Sequence, residues 1–164
     1  MPCKRIYPAI ALFVSACSSP AIFDISSSVL VQDKEGANIQ SAGADFCYSF
    51  ESGDPNTLEI WTAVHQCTTA EVNNGLALLP NLEGQFYGEP LSVSLVLLHD
   101  EQQYSGVLLD DDSDVWCDNV DVDHDAEGNV TKTPFCTYGY EFYQLWSVAV
   151  PTGVMSTGTP SGNE

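Results

Sequence analysis

Carboxylates are the side chains of this chain with the most chemistry to offer. Between Asp100 and Glu127 there are 11 of them in 28 residues. They fall into two groups, Asp110-Asp111-Asp112-Ser113-Asp114 and Asp121-Val122-Asp123-His124-Asp125-Ala126-Glu127-Gly128-Asn129. Acids this close repel one another, and a hard cation such as Ca²⁺, which takes about six to eight oxygen ligands, relieves the repulsion. Asp121, Asp123, Asp125 and Glu127 are therefore the candidate calcium ligands. Two acids drawn together in a cleft, one with a raised pKa, would instead make a small hydrolase. No pair among the 23 acidic residues stands out for that role. The plainer reading makes Asp-Ala-Glu-Gly-Asn a polar hairpin turn and the Asp110 run a solvated loop.

The segment Asp123-His124-Asp125-Ala126-Glu127-Gly128-Asn129-Val130 resembles the front half of an EF-hand-type calcium loop, with Gly128 at the sharp turn and Val130 two places on. Pro134 stands where that family has its closing glutamate. The other constellations are thinner. His65, His99 and His124 show no paired spacing, which argues against zinc. His65 reads as a structural strand residue, His99 and His124 as solvated turn residues. No serine lies in a G-x-S-x-G context and no glycine-rich phosphate loop occurs. Tyr138, Tyr140 and Phe142 alternate. Such a row either stacks on sugars or forms one inward face of a sheet, and the second use is the commoner.

Charge narrows the partners. The formal net charge is −19 over 164 residues. A chain this acidic repels phosphate backbones, which argues against nucleic acid. It is equally repelled by an anionic membrane surface and needs a covalent anchor to stay on one.

Such an anchor is legible at the start. Lys4 and Arg5 precede an apolar stretch, Ile6 to Val14, that is too short to span a bilayer. Val14-Ser15-Ala16-Cys17 resembles the lipobox of bacterial lipoproteins. The resemblance implies a signal peptide at 1–16 and a lipidated Cys17 as the first mature residue. Ser18, in place of the aspartate that retains family members at the inner membrane, implies the outer membrane. With Lys4 and Arg5 removed, only Lys34 and Lys132 face the 23 acids, and the mature charge is −21.

Export also frames the cysteines. Cys47, Cys67, Cys117 and Cys136 remain, an even number in an oxidising compartment, and no C-x-x-C spacing suggests metal. Two disulfides are expected. Cys47–Cys67 would close a loop around Ser52-Gly53-Asp54-Pro55-Asn56. Cys117 and Cys136 lie equally far from a turn centred on Ala126-Glu127, a register that also sets Asp121 opposite Lys132 and turns Trp116 and Val120 to the buried face.

The elements that must position these residues read as short strands. Val29 opens the first, Asp45–Phe50 alternates with Phe46, Tyr48 and Phe50 on one face, and Leu91–Leu98 reads as a central strand. Further strands are expected at 58–67, 104–109, 115–123, 130–140 and 142–150. Residues 68–79 are ambiguous, with Gly75 limiting any helical turn. The opening hairpin, through Val31, Asp33, Gly36 and Ile39, loosely resembles carboxypeptidase-regulatory-like and transthyretin-like domains. The fold expected is an all-β, antiparallel β-sandwich of about seven or eight short strands, immunoglobulin-like or transthyretin-like. It would span residues 29–151, between a lipidated, Ser-rich tether at 17–28 and a disordered tail at 152–164. The functional expectation is a lipid-anchored, non-enzymatic binding or structural module with envelope proteins or glycans as partners. A calcium-dependent carbohydrate-binding or adhesion module and a carboxylate-dependent hydrolase are the alternatives.

Overall fold

The computed structural model describes residues 20–121, 124–131 and 135–155, with the backbone alone at 118–121 and 135–137. It is all-β. The nine strands are β1 (Ala21–Asp33), β2 (Ser41–Asp54), β3 (Glu59–Asn73), β4 (Leu76–Leu78), β5 (Leu82–Phe86), β6 (Glu89–His99), β7 (Gln102–Ser105), β8 (Val107–Asp121) and β9 (Phe135–Val150). They form one sheet in the order β7-β6-β2-β3-β4-β1-β9-β8, with β5 on the edge of β1 beside β4. The sheet curls into a half-barrel. The expected antiparallel arrangement is corrected at one place: β1 and β9 run parallel along their length, from Ile22 opposite Gly139 to Asp33 opposite Val150.

The central strand begins in what reads as a tether. In β1, Phe23 and Ile25 are buried, and Ser27, Val29 and Val31 follow on the same inward face. Two aromatic or branched side chains set two apart impose the strand period on the serines between them. The strand thus begins at Ala21, inside the segment 17–28 expected to be a tether. At the other end the fold runs past residue 151. Met155 is buried, Val154 packs against the core, and the Thr152 hydroxyl donates to Glu35 Oε2. His99 Nε2 lies 3.1 Å from the Val154 carbonyl oxygen, so His99 is half-buried and ties this segment down instead of standing in solvent.

The core lies inside the curl. Phe46, Tyr48 and Phe50 of β2 point inward as their alternation predicts, toward Phe142, Trp146, Val148 and Val150 of β9 and Leu95 and Leu97 of β6. An aromatic cluster fills one end. Phe23 stacks on Phe50 with ring centroids 5.0 Å apart, Phe50 meets Phe142 at 6.0 Å, and Tyr140 meets Phe86 at 5.6 Å. One buried polar contact crosses this interior: the Tyr48 hydroxyl donates to Gln144 Oε1 at 2.9 Å. Burial pushes the Tyr48 phenol well above its ordinary range, so it stays neutral and keeps its proton.

Residues 68–79 contain no helical turn. β3 continues to Asn73, and Asn74-Gly75, both at positive φ, make a two-residue hairpin into β4. Asn-Gly is the dipeptide that a type I′ turn favours, because both central residues need left-handed backbone. A second close approach needs glycine for space. A side chain at Gly88 would run into the backbone of Gly53, where β2 bulges before pairing with Glu89. Leu91–Leu98 belongs to β6, which sits next to the edge strand β7 and pairs with it through Val96–His99 alone.

The buried hydroxyl–amide contact supplies a direct test. Tyr48→Phe leaves Gln144 Oε1, in a side chain that is 5% exposed, without its donor. The expected loss is about 1–2 kcal/mol in chemical denaturation, and Tyr48→Phe with Gln144→Leu should recover part of it.

Candidate functional site

The carboxylates occupy three kinds of place, each set by an element described above. The first is the turns. Asp125 Oδ1 accepts from Glu127 N at 3.0 Å and Asn129 N at 2.8 Å, and the Asn129 side-chain amide donates to both carboxylate oxygens. Asp33 does the same, with Glu35 N at 3.0 Å and Ala37 N at 2.8 Å. In both turns the glycine that follows, Gly36 or Gly128, stands at φ 84° and donates back to the aspartate carbonyl. The two Asp-x-Glu-Gly segments are thus one structural device, the polar hairpin turn. Asp54 caps a third turn by accepting from Asn56 N at 2.8 Å. The Asn129 amide side chain and backbone hold the Asp125 carboxyl below the usual range, and the Asn56 backbone chiefly does this for Asp54.

Of the four candidate calcium ligands, Asp125 is committed to its own turn and Glu127 is exposed beside it. Asp121 lies in β8 opposite Phe135, not opposite Lys132. Its side chain, Asp123 and Lys132 lie outside the described residues. The turn itself is centred on Glu127, because His124 bridges Val130. Below it β8 bulges between Asp118 and Val120, so Cys117 stands opposite Tyr138 and Cys136 opposite Val120. This corrects the directly opposed register, since an extra residue in one strand displaces every pair beyond it. Trp116 also changes face. It lies outward over Gly139 of the neighbouring strand, where an added Cβ would sit 2.5 Å from the indole.

The second place is the edge strand. The run Asp110-Asp111-Asp112-Ser113-Asp114, read as a solvated loop, is the middle of β8. Among the described residues β8 pairs only with β9. Its acids alternate faces: Asp112 and Asp114 go outward, opposite Tyr143 and Glu141, and Asp111 goes to the inner side. Tandem charge hides a strand from a periodicity argument, because alternation of polarity vanishes when both faces are acidic.

The third place is the outer face of the sheet, and three of its four members were not anticipated. Asp24 of β1 is directly opposite Glu83 of β5 and Glu141 of β9, and Glu141 is opposite Asp114 of β8. Four carboxylates thus stand in register across four strands. Asp24 Oδ1 is buried and has no hydrogen-bond partner. Burial first, then the charges of Glu83 and Glu141, push the Asp24 carboxyl up. Tyr143 donates its hydroxyl to Glu141 Oε2 at 2.7 Å, which holds the phenol proton and raises its pKa. Among the described residues no three acidic, histidine or cysteine side chains converge into a metal-ligand group. The row is a ladder and not a cage. The signal for it was the alternation Phe23-Asp24-Ile25, which the adjoining serines obscured.

Cys47 and Cys67 are directly opposed on β2 and β3 and form a disulfide, with Cα atoms 4.0 Å apart. Beside it Ser49 Oγ and His65 Nδ1 are 2.8 Å apart, which agrees with His65 as a cross-strand structural residue, although its ring is exposed. His124 is exposed. Phe142 is buried and Tyr140 half-buried, while Tyr138 is 62% exposed, so the aromatic row enters the core only from Tyr140 onward.

One concave feature joins the charge to the core. The half-barrel has an open seam between β6 and β8, and there Pro90, Leu91, Val93, Asp111, Phe142 and Gln144 line a cleft of about 200 Å³. No family model, curated protein or solved structure matches the chain.

Two expectations concern the acids. A carboxyl whose folded-state pKa is raised favours folding only while protonated, so its contribution is present below 3.8 and lost as pH rises through the folded value. Asp24→Asn should therefore raise the thermal midpoint at neutral pH by about 2 °C, with the gain fading at about pH 3, as scanning calorimetry across pH would report. Asp125 has the opposite sign. Its stabilising effect is present at neutral pH and fades as acid protonates it through its depressed pKa. Asp125→Ala should lower the midpoint equally in EDTA and in millimolar Ca²⁺. A loss confined to the calcium sample would restore the calcium loop.

Proposed function

We propose that this chain is a lipid-anchored outer-membrane protein whose half-barrel is a non-enzymatic binding or structural module. The observation that carries this reading is the distance between anchor and fold. Cys17 of the lipobox-like Val14-Ser15-Ala16-Cys17 stands four residues ahead of Ala21, where β1 begins. Four extended residues reach about 14 Å, so the lipid would hold the domain against the membrane surface with almost no tether. A chain of mature charge −21 would not approach an anionic surface unaided, which is what a covalent anchor overcomes.

The cysteines support the same compartment. Cys47–Cys67 is a strand-to-strand staple on the outer face of the sheet. Cys117 is engaged, and Cys136 lies on the adjoining strand β9. We assign them as the second disulfide. The module reading draws on where the acids lie: on turns, on an edge strand and on an outward ladder. The cleft at the seam carries the single carboxylate Asp111, whereas a glycosidase-like mechanism needs two acids about 5–10 Å apart around one bond.

Metabolic labelling tests the anchor. In a Gram-negative host fed labelled palmitate, the wild type should take up label and sediment with the outer membrane. Cys17→Ser should take up none and accumulate at precursor mass. An unlabelled, soluble wild type would refute the anchor and leave an ordinary export signal.

A further inference from the structure

The chain from Gln102 to Asp121 is one extended path that changes partners. As β7 it pairs with β6, Val96 through His99. At Gly106, whose N–H donates to the Leu95 carbonyl at 2.7 Å, it leaves β6 and goes on as β8 against β9. A Cβ on Gly106 would crowd Leu95 and Trp146, so the apex of this fork is closed. Beyond it the fork opens. Among the described residues, β6 from Glu89 to Leu95 has no strand on the side away from β2, and β8 has none on the side away from β9. Two rows of unpaired backbone donors and acceptors thus border one wedge. Its floor is the aromatic core itself, Phe50 and Phe142, together with Gln144.

We propose that this wedge takes up an extended segment of another protein, rich in lysine or arginine alternating with apolar residues, which enters as an added strand and completes the half-barrel. Three features select that occupant. Unpaired edges on both sides bind backbone without regard to sequence, as in other strand additions. The cleft of about 200 Å³ over Phe50 and Phe142 seats one large apolar side chain, since a cavity of about 150 Å³ is enough to hold benzene. Asp110, Asp111 and Asp112 stand along the β8 rim, Glu89 begins the opposite one, and among the described residues no lysine or arginine pairs with any of them. A cationic strand satisfies the outward pair Asp110 and Asp112, because alternation sends its charges to the outer face and its apolar anchors inward. A second copy of this chain is the wrong partner, because two bodies of charge −19 repel. The inference deepens the reading of the chain as a binding module and is independent of the anchor at Cys17.

The test uses the full-length chain in detergent and a peptide of alternating lysine and valine. The readout is amide hydrogen exchange. At a peptide concentration about ten times its Kd, amides of Leu91–Leu95 and Val107–Ser113 should exchange roughly tenfold more slowly. Asp110→Lys with Asp112→Lys, exposed outward changes that spare the core and the cleft, should abolish the effect, and a peptide with proline at every second residue should fail to produce it. Equal protection by the proline peptide would reduce the interaction to charge alone and overturn strand addition. So would protection confined to the outer face at Asp24 and Glu141. Protection of the same amides without peptide, in a chain that elutes as a dimer, would assign the wedge to self-association and overturn the proposal. Palmitate labelling is read separately, so failure of the anchor and failure of the wedge are distinguishable.

Discussion

The parallel pairing of β1 with β9 is the constraint on which everything else rests. These are the first and last strands among the described residues, and they are bonded from Ile22–Gly139 to Asp33–Val150. Parallel neighbours cannot be joined by a hairpin, so the whole intervening chain serves as their connection. That chain builds the rest of the sheet on either side of β1: β4 and β5 on one edge, β9 and then β8 on the other. The inward residues of the pair, Phe23, Ile25, Val29 and Val31 against Phe142, Trp146 and Val148, form much of the core. Local hairpins such as β2–β3 and β6–β7 can form early. The spine forms only when residues more than 100 apart in sequence meet, which makes the topology one of high contact order.

A second constraint is charge. With four lysines and arginines set against 23 acids, ion pairing cannot do much. The structure disposes of carboxylates in other ways. Aspartates at three turns accept backbone N–H groups, a use in which a negative charge strengthens the bond. Side-chain hydroxyls serve others, Thr69 for Asp45 and Ser92 for Glu51. The acids of β8 charge both faces of an exposed edge, which discourages indiscriminate strand pairing while leaving the edge open to a partner of opposite sign. In the ladder Glu141 accepts the Tyr143 hydroxyl, whereas Asp24 Oδ1 has no partner, and there burial and like charges act together.

What was legible in the sequence was local. Phe46, Tyr48 and Phe50 alternate without interruption and lie on one buried face. The turn after Asp33 and the pairing of Cys47 with Cys67 across a short loop follow from neighbouring residues. What was not legible was non-local or masked by composition. Ser26-Ser27-Ser28 reads as a tether because serine contributes little to a hydrophobic pattern, yet Phe23 and Ile25 hold it in the central strand. Five consecutive polar residues in β8 read as a loop because their strand is stabilised by β9 and not by their own burial. The acid ladder exists only once β5, β1, β9 and β8 are aligned. No spacing within one segment encodes a row that crosses four.

The spine has a mechanical meaning as well. β1 and β9 point the same way, so the start of one and the end of the other lie at opposite ends of the ladder. Tension applied between the N-terminal side of β1 and the C-terminal side of β9 slides the two strands past each other. Twelve residue pairs then share the load at once, whereas a hairpin pulled at its open ends parts one bond at a time. A domain held at its leading end and tugged from its trailing end would yield abruptly and late, as a shear clamp does. A load carried by the β8–β9 hairpin, which pairs β8 to one side alone, would peel instead. The same sheet is thus stiff along one line of force and compliant along another.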